Sequence, residues 1–469
     1  METETKELVA QLKDVLLDLA ANPYPEIACP PNVPKRASVA LILRVQPNYD
    51  HWPVVQERNI HSQTAKRRRS SVTSNPENTQ RRRASIAEHK FSLKDILDAF
   101  FSQDWVQHGD PELLFIKRAT RVGDKWTGHV ALPGGKRDPE DADDQVTAVR
   151  EAMEEVGIDL SYAHAISIGN LPQRIVTTSW GKVPLMVLCP YVYLLTSSEY
   201  PAQRLQPTEV ASTHWVPLRA LLAPSLRTYE YADVSARLAK SEFGIKRWFL
   251  STMLSQMMFA AIHLLPSSST YCTSISGFVP DGPAPNAPFM GKVKEVLNGP
   301  EANYPARQQP LLLWGLTLGV ISDFLEHIPP HNALELWTYP TFTNWDVRFA
   351  MWAMSYHYRK RKAREMSSTA HLNANKVDEG IVDSPTEKAT AEEPGEVGIA
   401  GLGVGRNWGK AGREKLMVRG AAVNSMLEGY YPIVRRAVAV ALLGRVTVAS
   451  LVGIWLWKKL VTAPEDGND

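Results

Sequence analysis

Three carboxylates, Glu151, Glu154 and Glu155, follow directly on a guanidinium, Arg150, and run into a glycine, Gly157. On a helix, at about 100° per residue, the three acids share roughly 100° of arc. Val149, Ala152, Met153 and Val156 fall at i, i+3, i+4 and i+7 and are read as an apolar stripe on the opposite face. Like charges this close repel by a few tenths of a kcal/mol per pair, so something cationic must offset them. Hard carboxylate oxygens suit Mg²⁺, which takes one or two carboxylates together with phosphate oxygens and water. The acids alone read as a solvated face, as most such pairs are. Their surroundings point elsewhere. Gly134-Gly135, after a predicted strand, permits a tight turn and close backbone approach to a phosphate. Gly157 is placed to end the helix. Strand end, glycine loop, acidic helix and glycine stop together suit a diphosphate with a metal.

Other elements must hold this unit. Ser38–Val45 and Leu113–Lys117 read as strands, and residues 183–195 as a buried strand interrupted by Pro190. Residues 213–218 lead into a short helix at 218–223. Residues 245–265 and 311–325 read as buried helices, and 91–101 as a short one. Met1–Ala21 is an amphipathic helix. Its interleaved acids, Glu2, Glu4, Glu7, Asp14 and Asp18, argue against a targeting peptide.

The run Arg150-Glu151-x-x-Glu154-Glu155-x-Gly157-Ile158 resembles the right half of the Nudix box. The middle departs from the general form: Gly135 lies fifteen residues before Arg150 rather than fourteen, and Ala142 stands where the first Glu belongs. The coenzyme A diphosphatase branch of Nudix hydrolases has the form G-G-x-x-D-x-x-D-x5-T-A-x-R-E-A-x-E-E-x-G. Gly134, Gly135, Asp138, Asp141, Thr147, Ala148, Arg150, Glu151, Ala152, Glu154, Glu155 and Gly157 match every fixed position. Gly128-x-Val130-x-Leu132-Pro133 fits the same branch, with Leu for its usual Phe. Asp124 stands where the branch usually carries Arg, and Phe115-Ile116-Lys117-Arg118 follows its upstream element only loosely. The resemblance covers 36–50 and 110–222, and Trp314-Gly315-x-Thr317 looks like the start of the closing helix.

The resemblance implies an α+β Nudix fold, a mixed β-sheet sandwiched between helices; the disordered insertion and the C-terminal apolar helix lie outside the resemblance and are read from composition. It implies a metal-dependent hydrolase, using Mg²⁺ or Mn²⁺, that cleaves the diphosphate of coenzyme A, acyl-CoA or a related nucleoside diphosphate compound. ADP-ribose, NADH or dinucleoside polyphosphates are the alternative substrates. A membrane-associated binding module without catalysis is the alternative class. Glu151 and Glu155 are the expected metal ligands. Glu154 is a third ligand or a water-orienting base, and Arg150 orients one of these glutamates by a charge-assisted bond. Gly134, Gly135, Arg118 and Arg121 are the expected substrate contacts. Asp138 and Asp141 read as loop-capping residues, and Trp126 and Trp180 as packing. Glu209 is a further candidate for the metal.

The chain has 469 residues, enough for about three domains, and 44% hydrophobic against 22% charged residues is ordinary globular composition. A net charge of +2 argues against a nucleic-acid partner for the whole protein. Cys29, Cys189 and Cys272 form no CxxC or Cys/His cluster, which excludes a disulfide scaffold and a cysteine-based zinc site. The expected organisation is an N-terminal helix at 1–35, a catalytic domain at 36–355, a linker at 356–416 and a helical tail at 417–469. An intracellular protein is expected. Residues 51–90 are a polar basic insertion, with Ser71 and Ser85 placed for a basic-directed kinase. Residues 437–457 would extend about 31 Å as a helix, close to a bilayer core of roughly 30 Å. Arg435-Arg436 and Lys458-Lys459 flank them. Arg445 near the centre costs roughly 2.5–3.5 kcal/mol, which brings the sum close to neutral. A membrane span and an interfacial or domain-packed helix both fit.

Overall fold

The computed structural model describes residues 2–30, 35–53, 92–120, 126–161, 164–177, 184–233, 256–273, 311–329, 338–379 and 429–461. Arg121, Trp180, Ser71 and Ser85 lie outside them, as does nearly all of the basic insertion.

A nine-stranded mixed sheet runs β11-β8-β2-β1-β7-β5, with β3 on β2, β4 on β1 and β6 on β7. Its central strands are β1 (Arg36–Gln46), β2 (Asp110–Arg118), β7 (Pro184–Leu195) and β8 (Val210–Pro217). Short strands β3 (Val130–Ala131) and β4 (Gly134–Lys136) bring the glycine loop onto the sheet. β5 (Ala165–Asn170), β6 (Arg174–Thr177) and β11 (Ser268–Tyr271) complete it. β1 and β7 pair in parallel; the other ladders are antiparallel. Alternation along β1 divides the interior. Ala40 and Ile42 face a helix of residues Asp144–Val156, while Leu41 and Leu43 face α1 (Glu2–Ala21) and a helix of residues Gly315–Leu325. The sheet is therefore sandwiched between helices. α1 is part of this core: Leu12, Leu16 and Leu19 are fully buried.

α2 (Leu93–Phe101) begins with a capping box between Ser92 and Asp95, and α3 (Asp104–Gln107) leads into β2. The helix of residues Asp144–Val156 is α4, and α5 (Leu218–Leu222) follows β8. A smaller four-stranded sheet has the order β12-β10-β13, with β9 on β10. It comprises β9 (Arg227–Asp233), β10 (Gln256–His263), β12 (Leu312–Trp314) and β13 (Thr341–Phe342). The helix Gly315–Leu325 is α6; α7 (Trp345–Glu379) and α8 (Tyr430–Val461) follow.

Three expectations change. The described part of 245–265 is the strand β10, not a helix. Met257, Phe259 and Ala261 alternate inward, but their neighbours are also apolar, which hides the period of two in the sequence. Pro190 does not interrupt β7. Its carbonyl accepts from Leu171 N–H at 2.9 Å, in the gap between β5 and β6, so the missing N–H falls where no ladder bond is required. The expected linker start at 356 lies inside α7, which continues to Glu379. α7 packs against the first half of α8, where Tyr430, Tyr431, Val434, Ala437 and Val438 are buried.

Candidate active site

α4 starts at Asp143, whose side chain accepts from Val146 N–H at 2.8 Å, and stops at Gly157 with φ 75°. Asp144, buried in the first turn, is held by Arg36 of β1 at 2.6 Å and by Arg137 at 3.3 Å. This fixes the helix over the end of β1. Ala148, Ala152 and Val156 pack down on Ala40, Ile42, Leu114 and Ile116. The same side carries Glu155, 2% exposed, whereas Met153 is 55% exposed. The acids are thus not all opposite the apolar stripe: Glu155 belongs to the buried side, because α4 lies on β4 and the glycine loop.

That loop explains how a carboxylate survives there. Gly134 N–H donates to Glu155 Oε2 at 2.9 Å. A Cβ on Gly135 would stand 2.4 Å from the Glu151 carboxylate. The paired glycines make room for two glutamates, and the Gly134 N–H is engaged by Glu155 rather than free for a phosphate. Burial pushes the Glu155 carboxyl up to about 8, and the charges of Glu151 and Glu209 push the same way. Burial also raises Glu151. Arg118, at a bulge ending β2, opposes the shift at Glu155. Glu151 and Glu155 are therefore desolvated like charges beside Glu209, with the Arg118 and Arg150 guanidinia nearby. Hard oxygen donors whose charges raise one another's pKa suit a divalent cation, which would remove the repulsion.

Arg150 grips the loop and, of the two buried acids, reaches Glu151 and not Glu155. Its Nε and Nη2 donate to the two Asp141 oxygens at 3.0 Å each, and Nη2 also reaches the Lys136 carbonyl at 3.1 Å. It pairs with Glu154 at 2.9 Å and Glu151 at 3.1 Å. Asp141 accepts further bonds from Asp138 N–H and the Thr147 hydroxyl, at 3.0 and 2.9 Å. Arg150 above all holds the Asp141 carboxyl far below the usual range. Glu154 remains 59% exposed and tied to Arg150, apart from the buried group. Trp126 lies edge-on to His129 at 5.4 Å, a packing contact. The Arg36–Asp144 pair escaped the sequence reading, because the two residues lie far apart in the chain and neither belongs to the motif.

A family model described as NUDIX domain matches residues 105–238. The chain is 33% identical over 292 residues to the uncharacterized protein C14C4.10c of Schizosaccharomyces pombe, covering 61% of this chain and 78% of that protein. It is 34% identical over 125 residues to the uncharacterized Nudix hydrolase NudL of Yersinia pestis, covering 27% of this chain and 56% of NudL. Among solved structures, the NUDIX domain of Shewanella oneidensis NrtR, crystallised with ADP ribose, matches at 15% identity and a TM-score of 0.22. That match covers 44% of this chain and 84% of that domain.

Proposed function

The chain belongs to the Nudix hydrolase superfamily, and on that premise we propose that it hydrolyses the diphosphate bond of coenzyme A or an acyl-CoA. The observation that carries the hydrolase reading is the desolvated pair Glu151 and Glu155 against Gly134-Gly135, with the Glu209 charge acting on both. Glu151 and Glu155 would hold the cation, Mg²⁺ or Mn²⁺, with Glu209 beside them. A bound cation supplies Lewis-acid polarisation of the diphosphate and lowers the pKa of water. The chain's own part is positioning. Arg150 and Asp141 lock the loop to α4, Gly134 N–H orients Glu155, and Arg118 offers positive charge for a phosphate. Glu154, exposed and paired with Arg150, is the carboxylate outside the metal group that would take a proton from the attacking water.

Coenzyme A is favoured over other diphosphates by the unbroken match from Gly134 to Gly157. The test is turnover of coenzyme A, ADP-ribose, NADH and dinucleoside polyphosphates by purified protein with Mg²⁺ or Mn²⁺. Coenzyme A should yield 3′,5′-ADP and a phosphopantetheine product. Much faster turnover of another compound with coenzyme A left intact overturns the substrate, and turnover of none leaves a binding module.

α8 supports a second reading, as a membrane anchor. An 18-residue stretch within Tyr430–Lys459 has a mean hydropathy of 2.1. Residues 446–457 are uncharged and exposed on every side, with Trp455 and Trp457 next to Lys458-Lys459. In the folded packing this free length is about 18 Å, enough for one leaflet. The longer span 437–457 requires α8 to part from α7. Arg445 is paired with Asp346 of α7 at 2.5 and 2.6 Å, so in the folded packing it stays on the domain side of the 446–457 anchor, whereas the longer span would break this pair. Carbonate extraction of membranes should retain the full chain and release a 1–445 truncation; release of both defeats the anchor.

A further inference from the structure

Away from the carboxylate site, His51, Asp104 and His108 place one ligand atom each within 4.8 Å of one another, a grouping no other described residues make. His51 closes the short 3-10 turn Tyr49–His51 that follows β1. Asp104 opens α3 and His108 ends it, four residues on. The two imidazoles lie flat on each other, centroids 3.6 Å apart and planes 7° from parallel. Both turn Nδ1 to the same carboxylate: His51 Nδ1 is 2.8 Å from Asp104 Oδ2, and His108 Nδ1 is 3.3 Å from Oδ1. His108 Nδ1 also lies 2.9 Å from the Asp104 carbonyl.

We propose that His51, Asp104 and His108 form a peripheral site for a borderline divalent transition-metal ion, Zn²⁺ by its chemistry. Two imidazole nitrogens and a carboxylate oxygen are the donor set such ions prefer over Mg²⁺. A metal takes each imidazole in its neutral form, so binding at this pair releases any proton held on Nδ1. Binding through Nδ1 puts each ring's remaining proton on Nε2. The side chains are already ordered, with His108 13% and His51 27% exposed, while Asp104 is 71% exposed and leaves water free to fill the other positions. Lys6 of α1 also acts on Asp104 by charge and competes with a bound cation. The three ligands join parts of the chain 53 residues apart, so an ion there staples the exit of β1 to α3 at the base of the basic insertion.

The experiment uses the full chain carrying Glu151→Gln and Glu155→Gln, which removes competition from the catalytic carboxylates, with Co²⁺ read by its visible absorption and Zn²⁺ by calorimetry. One equivalent should bind, and binding should survive millimolar Mg²⁺. Adding His51→Ala or His108→Ala should weaken it by at least about tenfold, since losing a direct ligand costs no less than losing a residue that merely hydrogen-bonds to a ligand. Asp104→Asn, which keeps the shape of the side chain, should do the same and covers the case in which a histidine variant misfolds. With wild-type carboxylates, the three variants should keep Mg²⁺-dependent diphosphatase activity. No Co²⁺ bound by the Glu151→Gln/Glu155→Gln protein, or equal affinity after Asp104→Asn in that background, overturns the site.

Discussion

Glu155 must be buried to sit on Gly134 and ionised to hold a cation, and these requirements conflict unless the cation is present. Glu151 shares the conflict more mildly; Glu154, exposed beside Arg150, does not. Glu151→Gln and Glu155→Gln should therefore each lower kcat by about 10² or more, the scale of losing a key electrostatic stabiliser. Glu154→Gln should cost less unless it is the base, and steady-state rates at saturating Mg²⁺ decide. The two glycines should separate stability from activity. At Gly135 a methyl group meets only the mobile end of Glu151, so Gly135→Ala should keep its Tm within a few degrees while activity falls. At Gly134, with φ 155°, the methyl group meets the Ser38 carbonyl at 2.2 Å, so Gly134→Ala should lower Tm as well. Thermal melts beside activity on both variants check this.

The position of α4 on the sheet is set by ties outside the motif. Asp144 and Arg36 are nearly buried, so Asp144→Asn leaves Arg36 uncompensated and should destabilise the fold by about 3 kcal/mol in urea titration. Across the β1–β2 ladder, Arg44 faces Glu112 at 3.7 Å, and its guanidinium lies 3.7 Å over the Tyr200 ring. Burial pushes the Glu112 carboxyl up to about 6 from 4.5 and lowers Arg44. A raised carboxyl pKa means the folded state holds the proton longer. Its stabilising contribution is complete below about pH 4.5 and is lost as pH rises through 6. The loss is about 2 kcal/mol at 1.36 kcal/mol per unit. Glu112→Gln should flatten the stability profile between those pH values; an unchanged slope there removes Glu112 as its source.

For the whole molecule, the boundary that matters falls inside α8, at Arg445. Tyr430, Tyr431, Val434, Ala437 and Val438 belong to the same apolar core as the sheet and α1, and Tyr430 donates to the Pro340 carbonyl at 2.9 Å. A chain ending at 429 should melt well below one ending at 445, and the latter should melt with the full chain; calorimetry of the three checks it. The sequence by itself determined the acidic helix, its caps, the glycine loop and the central strands, because each rests on local spacing, conformation or a short apolar run. It also singled out Glu151 and Glu155. The tertiary structure alone decided that Glu155 is buried on the apolar side, that Arg150 serves Asp141, and that Arg36 pins α4. It also turned the apolar run at 256–263 into a strand and set two histidines on Asp104. Each of these depends on residues distant in the chain, and a run apolar on both faces has no period until pairing with β9 and β12 selects the extended form.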